Sequence, residues 1–211
     1  MSGAAGIMLA SSFFSLLLPA LETCKNYAYL ILTGGFIAGG LLIVVTDILI
    51  KKMTSSSEKA SRSCAVMCVA VTVHNVPEGL AVGVAFGALS LGGGAGAVAA
   101  IMLAVGIGVQ NFPEGMCVAF PLRKKGLSPL KSFAFAQGSG AVEIPCCVLG
   151  AVAATLITGF LPWALSFSAG AMIAVVCSEL IPECFAGNKT LASCGVVTGF
   201  CLMMLLDVAL G

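Results

Sequence analysis

Two short stretches of this 211-residue sequence hold side chains able to do chemistry together. Residues 74–79 read HNVPEG and residues 110–115 read QNFPEG. His74 and Glu78 are four apart, as are Gln110 and Glu114, so on a helix each pair projects from one face. Asn75 and Asn111 lie about 100° further round, where they reach a neighbouring position. Pro77 and Pro113 lack an N–H and free the carbonyls of Val73 and Val109. Gly79 and Gly115 carry no side chain, so the two motif helices are expected to approach each other closely. Glu143 and Glu179 add carboxylates downstream, two residues before Pro145 and three before Pro182.

These polar groups sit in a strongly apolar chain. The apolar fraction is 59% and charged residues make up 9%, against about 25% in a soluble domain. Mean hydropathy is +1.11. The surface of a soluble protein of this size needs more charge than that, so the elements positioning the motifs are expected to lie in a membrane. A charge at the bilayer centre costs about 2.5–3.5 kcal/mol on insertion scales. Glu78, Glu114, Glu143 and Glu179 nevertheless fall within apolar runs, together with the single histidine, and no Lys or Arg lies deep in a run to pair with them. Such carboxylates are protonated or bind a cation. Carboxylates, one imidazole and amide oxygens suit a divalent ion such as Zn²⁺, Mn²⁺ or Fe²⁺. Free carbonyls at membrane depth are tolerated only inside protein or beside a water-filled cavity, which agrees with a buried ion site.

Apolar runs of about 20 residues predict seven transmembrane helices. They cover 4–20, 28–50, 63–86, 98–120, 132–157, 162–182 and 191–210, an all-α polytopic bundle forming one domain over 1–211. The first run has no basic segment before it and contains Ser11, Ser12 and Ser15, so it is read as a span rather than a signal peptide. The connectors 51–62, 121–131 and 183–190 hold nine of the ten basic residues, and only Lys25 lies on the other side. The positive-inside rule places the three connectors in the cytoplasm. Two internal echoes appear: the paired motifs, and Gly6-Ile7-Met8…Ser15…Pro19 against Gly170-Ala171-Met172…Ser178…Pro182. Repeats of this kind are common in secondary transporters, whose substrate sites lie near the midplane. The ten cysteines contain no CxxC pair; Cys64 and Cys68 share a helix face, where packing is the expected role. Asp47 and Asp207 lie near span ends and are given no site role. A net charge of +1 with no basic arm offers nothing for nucleic acid.

With HNVPEG, QNFPEG, AVEIP around Glu143 and SAGAMIAVVCSELIPE at 168–183, nearly the whole chain resembles the ZIP family of divalent-metal transporters, in its GufA-like branch. The resemblance implies an eight-helix fold of which this chain shows seven, beginning at what looks like the family's second helix. It implies a two-metal site and elevator-type transport toward the cytoplasm. His74, Glu78, Gln110 and Glu114 match the main-site ligands, Met8 matches a methionine beside that site, and Asn75, Asn111 and Glu143 match a second site that shares the motif glutamates. Zinc is the implied transported substrate, with Mn²⁺, Fe²⁺ and Cd²⁺ as alternatives; no cofactor is implied. The implied partners are the metal ion, the lipid of a plasma or organelle membrane, and a second copy in a homodimer. The chain departs from many members in carrying Gln110 and Ser178 where they carry histidine, which makes its site richer in oxygen. The loop 51–62 lacks a histidine cluster, so no metal-sensing loop is expected.

Three other readings stand beside transport. A product without the first helix would bind metal without moving it. An intramembrane metalloenzyme would need more imidazole: HExxH proteases place two histidines on one helix face, and this chain has one in all. A seven-span receptor fits the helix count but not the buried acids. No GxxxxGK[ST] motif is present, which argues against direct coupling to ATP.

Overall fold

A computed structural model describes residues 1–24, 26–53, 59–90, 96–124 and 126–210. Several side chains within these helices also lie outside the described residues, among them Lys51, Arg62, Cys64, Gln110 and Pro113, as do Lys25 and Lys125 altogether.

All regular elements among the described residues are helices. The first span is α1 (Ser2–Ser11), a π-helical segment Ser12–Leu17, and α2 (Leu18–Thr23). Then come α3 (Ala28–Met53), α4 (Lys59–Ser90) and α5 (Gly96–Lys124). The fifth span is broken into α6 (Pro129–Gly140) and α7 (Glu143–Val152). The sixth is α8 (Ala154–Val175), a second π-helical segment Val176–Leu180, and α9 (Ile181–Phe185); α10 (Lys189–Leu210) closes the chain. Seven stretches are long and apolar enough to cross a membrane: Ser2–Thr23, Ala28–Ile50, Cys68–Leu89, Ala100–Lys124, Pro129–Val152, Gly159–Phe185 and Lys189–Ala209.

The turn between the fifth and sixth spans lies at Ala153, not at 158–161 as the apolar runs suggested. Residues 152–161 are apolar throughout or carry only Thr, so hydropathy offers no mark for the turn. Pro162, read as the start of a span, instead lies inside α8. Local chemistry marks other ends more clearly. Ser128 caps α6, accepting a hydrogen bond from the Lys131 N–H, with Pro129 in the first turn. Gly126, at φ +89°, takes the left-handed turn after α5.

The helices pack as three close pairs, α1 with α10, α3 with α8, and α4 with α7, and α4 also lies against α8 and α5. The echo between residues 6–19 and 170–182 is structural. Each copy has a fully buried methionine, Met8 or Met172, followed by a π-helical segment and then a proline in the first turn of a short helix. The wider i→i+5 turn accommodates a proline that would clash with an ordinary helical carbonyl. The copies lie in the first and sixth spans, which run in opposite directions if each connector turns the chain back across the membrane.

Candidate metal centre

The α4 helix brings His74 and Glu78 to one buried face, with His74 0% and Glu78 2% exposed. From α5, Glu114, 1% exposed, enters the same space. His74 Nε2 lies 3.3 Å from Glu78 Oε1, and 3.0 and 2.9 Å from Glu114 Oε1 and Oε2. One ligand atom from each of the three residues falls within 4.8 Å of the others. Around a tetrahedral ion with bonds of 2.0–2.2 Å, donors sit about 3.4 Å apart. The imidazole-to-carboxylate spacings are therefore close to those a small divalent ion requires. Histidine Nδ1 is buried with no hydrogen-bond partner among the described residues.

Asn75 and Asn111, one position on from the cluster residues, turn toward the break between α6 and α7. Asn75 Nδ2 donates to the Ser139 carbonyl at 3.0 Å, which leaves Asn75 Oδ1 buried with no hydrogen-bond partner among the described residues. Asn111 Nδ2 donates to both oxygens of Glu143, at 2.8 Å each. The chain at Gly140 runs between them: a Cβ there would lie 3.9 Å from Asn75 Nδ2 and 4.0 Å from Glu143 Oε1. The turn at Ala141 and Val142 restarts the helix and presents Glu143 in its first turn. Two adjoining polar patches result, with the motif helices contributing to both.

The motif glycines do not bring α4 and α5 together, contrary to expectation. A Cβ on Gly79 would sit 2.6 Å from the Glu143 carbonyl, so Gly79 admits α7; the nearest group to Gly115 is Ala136 of α6, at 4.0 Å. The reason is angular. A residue five positions after His74 is about 140° round the helix, on the asparagine side rather than the cluster side.

Met8 packs in the apolar core with Met172, Val66 and Ala70. Gln110 lies on α5, and its side chain is outside the described residues. Glu179 is half-buried in the second π-helical segment.

Three features were not drawn from the sequence. Ser11, 0% exposed, donates to Glu114 Oε1 at 2.8 Å. Ser168 donates at 2.8 Å to the Val73 carbonyl, the one that Pro77 frees. Ser15 donates at 2.7 Å to Asp207 Oδ1. Asp207, Ser15 and Glu22 line a cavity of about 560 Å³ that reaches Glu78, and its described lining includes no Lys, Arg or His. The available signal was serine and aspartate inside otherwise apolar spans, which is costly unless each finds a partner.

The ZIP Zinc transporter family model matches residues 54–207. Human zinc transporter ZIP11 is 50% identical over 151 residues, 71% of this chain and 44% of that protein. Zinc transporter GufA of Myxococcus xanthus is 36% identical over 94% of this chain and 81% of its own length. Zinc transporter ZIPB of Bordetella bronchiseptica is 35% identical over 99% of this chain and 70% of its own length. The chain thus spans less than half the length of the ZIP11 relative it matches.

Proposed function

Because the chain belongs to the ZIP zinc transporter family, as an integral multi-pass protein of its GufA-like branch, we propose that it carries a divalent metal, zinc foremost, across a membrane. One observation carries this reading: His74, Glu78 and Glu114 meet at ligand spacing in a fully buried position. Two carboxylates there share one imidazole, and a divalent cation supplies the charge they lack. The named relatives are zinc transporters, and the donor set suits the same ion.

Asn75, Asn111 and Glu143 form the second position, sharing Glu78 and Glu114 with the first. An ion exchanging ligands between the two never loses all its donors at once, which lowers the barrier to release. Gln110 and Met8 belong to the surroundings of the first position. The cavity from Glu22 past Asp207 to Glu78 is the route from one side, since an apolar-walled space whose charges among the described residues are carboxylates concentrates cations. With the basic connectors cytoplasmic, that side is the outer one and movement is inward.

An elevator-type movement is supported by the packing. Spans three to five pack on one another through α4, α5, α6 and α7, while α1 pairs with α10 and α3 with α8, and the two groups meet chiefly where α4 lies against α8. Polar ties between the two groups include Ser11 to Glu114, Ser168 to Val73 and Lys124 to Glu183. The enzyme alternative finds no second histidine with which to build a His₂Glu site.

Metal uptake into reconstituted vesicles tests the reading. Glu78→Gln and Glu114→Gln keep the shape of the side chain and remove its charge, so each is expected to abolish uptake while the protein still inserts. Normal uptake by both variants would remove the cluster from the transport path.

A further inference from the structure

We propose that the cavity running from Glu22 to Glu78 is a binding site for hydrophobic amines, molecules that join an ammonium group to a compact apolar body. The site stands on the chemistry of the cavity itself. Only its effect on uptake rests on the reading of that cavity as the ion's route.

The cavity holds about 560 Å³. That lies within the range of small-molecule sites, which are mostly apolar with a few placed polar groups. Its wall comes from the first span and from α4, α5, α8 and α10, with Phe14, Val84, Met102, Ile107, Leu165 and Met203 among its apolar surfaces. The charged groups among its described residues are three carboxylates, those of Glu22, Glu78 and Asp207. Asp207 is the anchor. Its Oδ1 accepts the Ser15 hydroxyl at 2.7 Å, which fixes the carboxylate. Its Oδ2 is buried with no hydrogen-bond partner among the described residues. A buried polar atom without a partner is costly, and an ammonium group brings both N–H donors and the opposite charge.

The walls decide what kind of cation stays. A hydrated divalent ion is held through its waters and through oxygen ligands. Apolar side chains give those waters no partner, which suits the passage of such an ion and not its residence. A hydrocarbon body instead leaves water on entering and meets apolar surface throughout. An acidic amphiphile of the same shape meets three carboxylates and is repelled. A bound amine also lies across the way to the His74–Glu78–Glu114 cluster, because Glu78 belongs to both the cavity wall and the cluster.

The test uses 1-aminoadamantane, a compact apolar cage bearing one ammonium group, and 1-adamantanol, its uncharged counterpart. Binding to the purified full chain in micelles is measured by titration calorimetry against protein-free micelles. Saturable binding of the amine is expected, about 10-fold tighter than that of the alcohol, as one charge-assisted hydrogen bond provides. Asp207→Asn is expected to erase this preference. Val84→Phe fills part of the cavity without touching the carboxylate and is expected to weaken both probes. No saturable binding overturns the proposal. Equal binding of amine and alcohol to the wild type also overturns it, since the cavity is then an apolar crevice that a lipid chain fills. Wild-type affinity for the amine in both variants places the amine elsewhere and overturns it as well. Zinc uptake into vesicles separates the site from the transport reading. If the cavity is the route, the amine slows uptake and added zinc relieves the block. Binding on the expected terms with undiminished uptake upholds the site and removes the cavity from the route.

Discussion

The bond from Ser168 to the Val73 carbonyl can be tested by a double-mutant cycle with Pro77. Pro77 sits inside α4 and supplies no N–H to Val73, four residues earlier. The Ser168 hydroxyl, 0% exposed on α8, donates to that carbonyl at 2.8 Å. Replacing Ser168 with Ala strips a part-buried carbonyl of a donor that the main chain does not replace. Leaving a buried acceptor unsatisfied costs about 1–3 kcal/mol in water-soluble proteins, and interhelical bonds in membranes average about 0.6 with a maximum near 1.7 kcal/mol. About 1.5 kcal/mol is expected here, near the top of the membrane range, because the usual helical donor is missing. In a Pro77→Ala background the chain regains an N–H at residue 77, so the same Ser168→Ala change is expected to cost about 0.5 kcal/mol, a coupling of about 1 kcal/mol. Trp163 is the only tryptophan and stacks on Phe167 at 5.1 Å, next to Ser168 in α8. Its fluorescence reports equilibrium unfolding in mixed micelles for all four proteins. An equal cost of Ser168→Ala in both backgrounds would refute the idea that the serine compensates for the proline.

Two further outcomes follow from the packing and the cavity. Gly79→Ala places a Cβ 2.6 Å from the Glu143 carbonyl and 2.9 Å from the Cys146 Cβ, and is expected to cost about 1–3 kcal/mol by overpacking; unaltered unfolding would contradict the close approach of α4 to α7. Asp207→Asn keeps an acceptor for Ser15 but removes a charge from the cavity wall. Metal affinity at the cluster is expected to hold while uptake efficiency, kcat/KM, falls about 10-fold at low ionic strength and less at high salt. Equal kcat/KM in wild type and variant would close that route.

Relations within one helix were legible from spacing, and relations between helices were not. The four-residue interval from His74 to Glu78 put both on one face, and the 100° offset of Asn75 and Asn111 turned them elsewhere; both geometries appear, the asparagines reaching Ser139 and Glu143. The glycines followed the same angular rule, but their partners were misjudged because a bare helix face does not name what covers it. Ser11 meets Glu114 across 103 residues of sequence and Ser15 meets Asp207 across 192. No local pattern encodes contacts of that range. The span count was readable because about 20 apolar residues are a strong length signal, while the turn at Ala153 was hidden because the apolar run continues through it.

The same network explains how acids are kept in an apolar span. A charged carboxylate at this depth is tolerated only with compensation, and here the compensation comes from donors on several helices. Ser11 and His74 serve Glu114, His74 serves Glu78, and Asn111 serves both oxygens of Glu143. These partners are neutral groups or share a proton, and none is a fixed lysine or arginine. A permanent cation would hold the carboxylates too firmly for a passing ion to replace it. Hydrogen bonds worth about 1.5–3 kcal/mol each to a charged group are strong enough to keep the carboxylates in place and weak enough to yield to a divalent metal. On the proposed transport reading, carboxylates held by hydroxyl, amide and imidazole donors, in apolar runs whose sequence has no Lys or Arg deep within them, form a site that a divalent ion could fill and leave repeatedly.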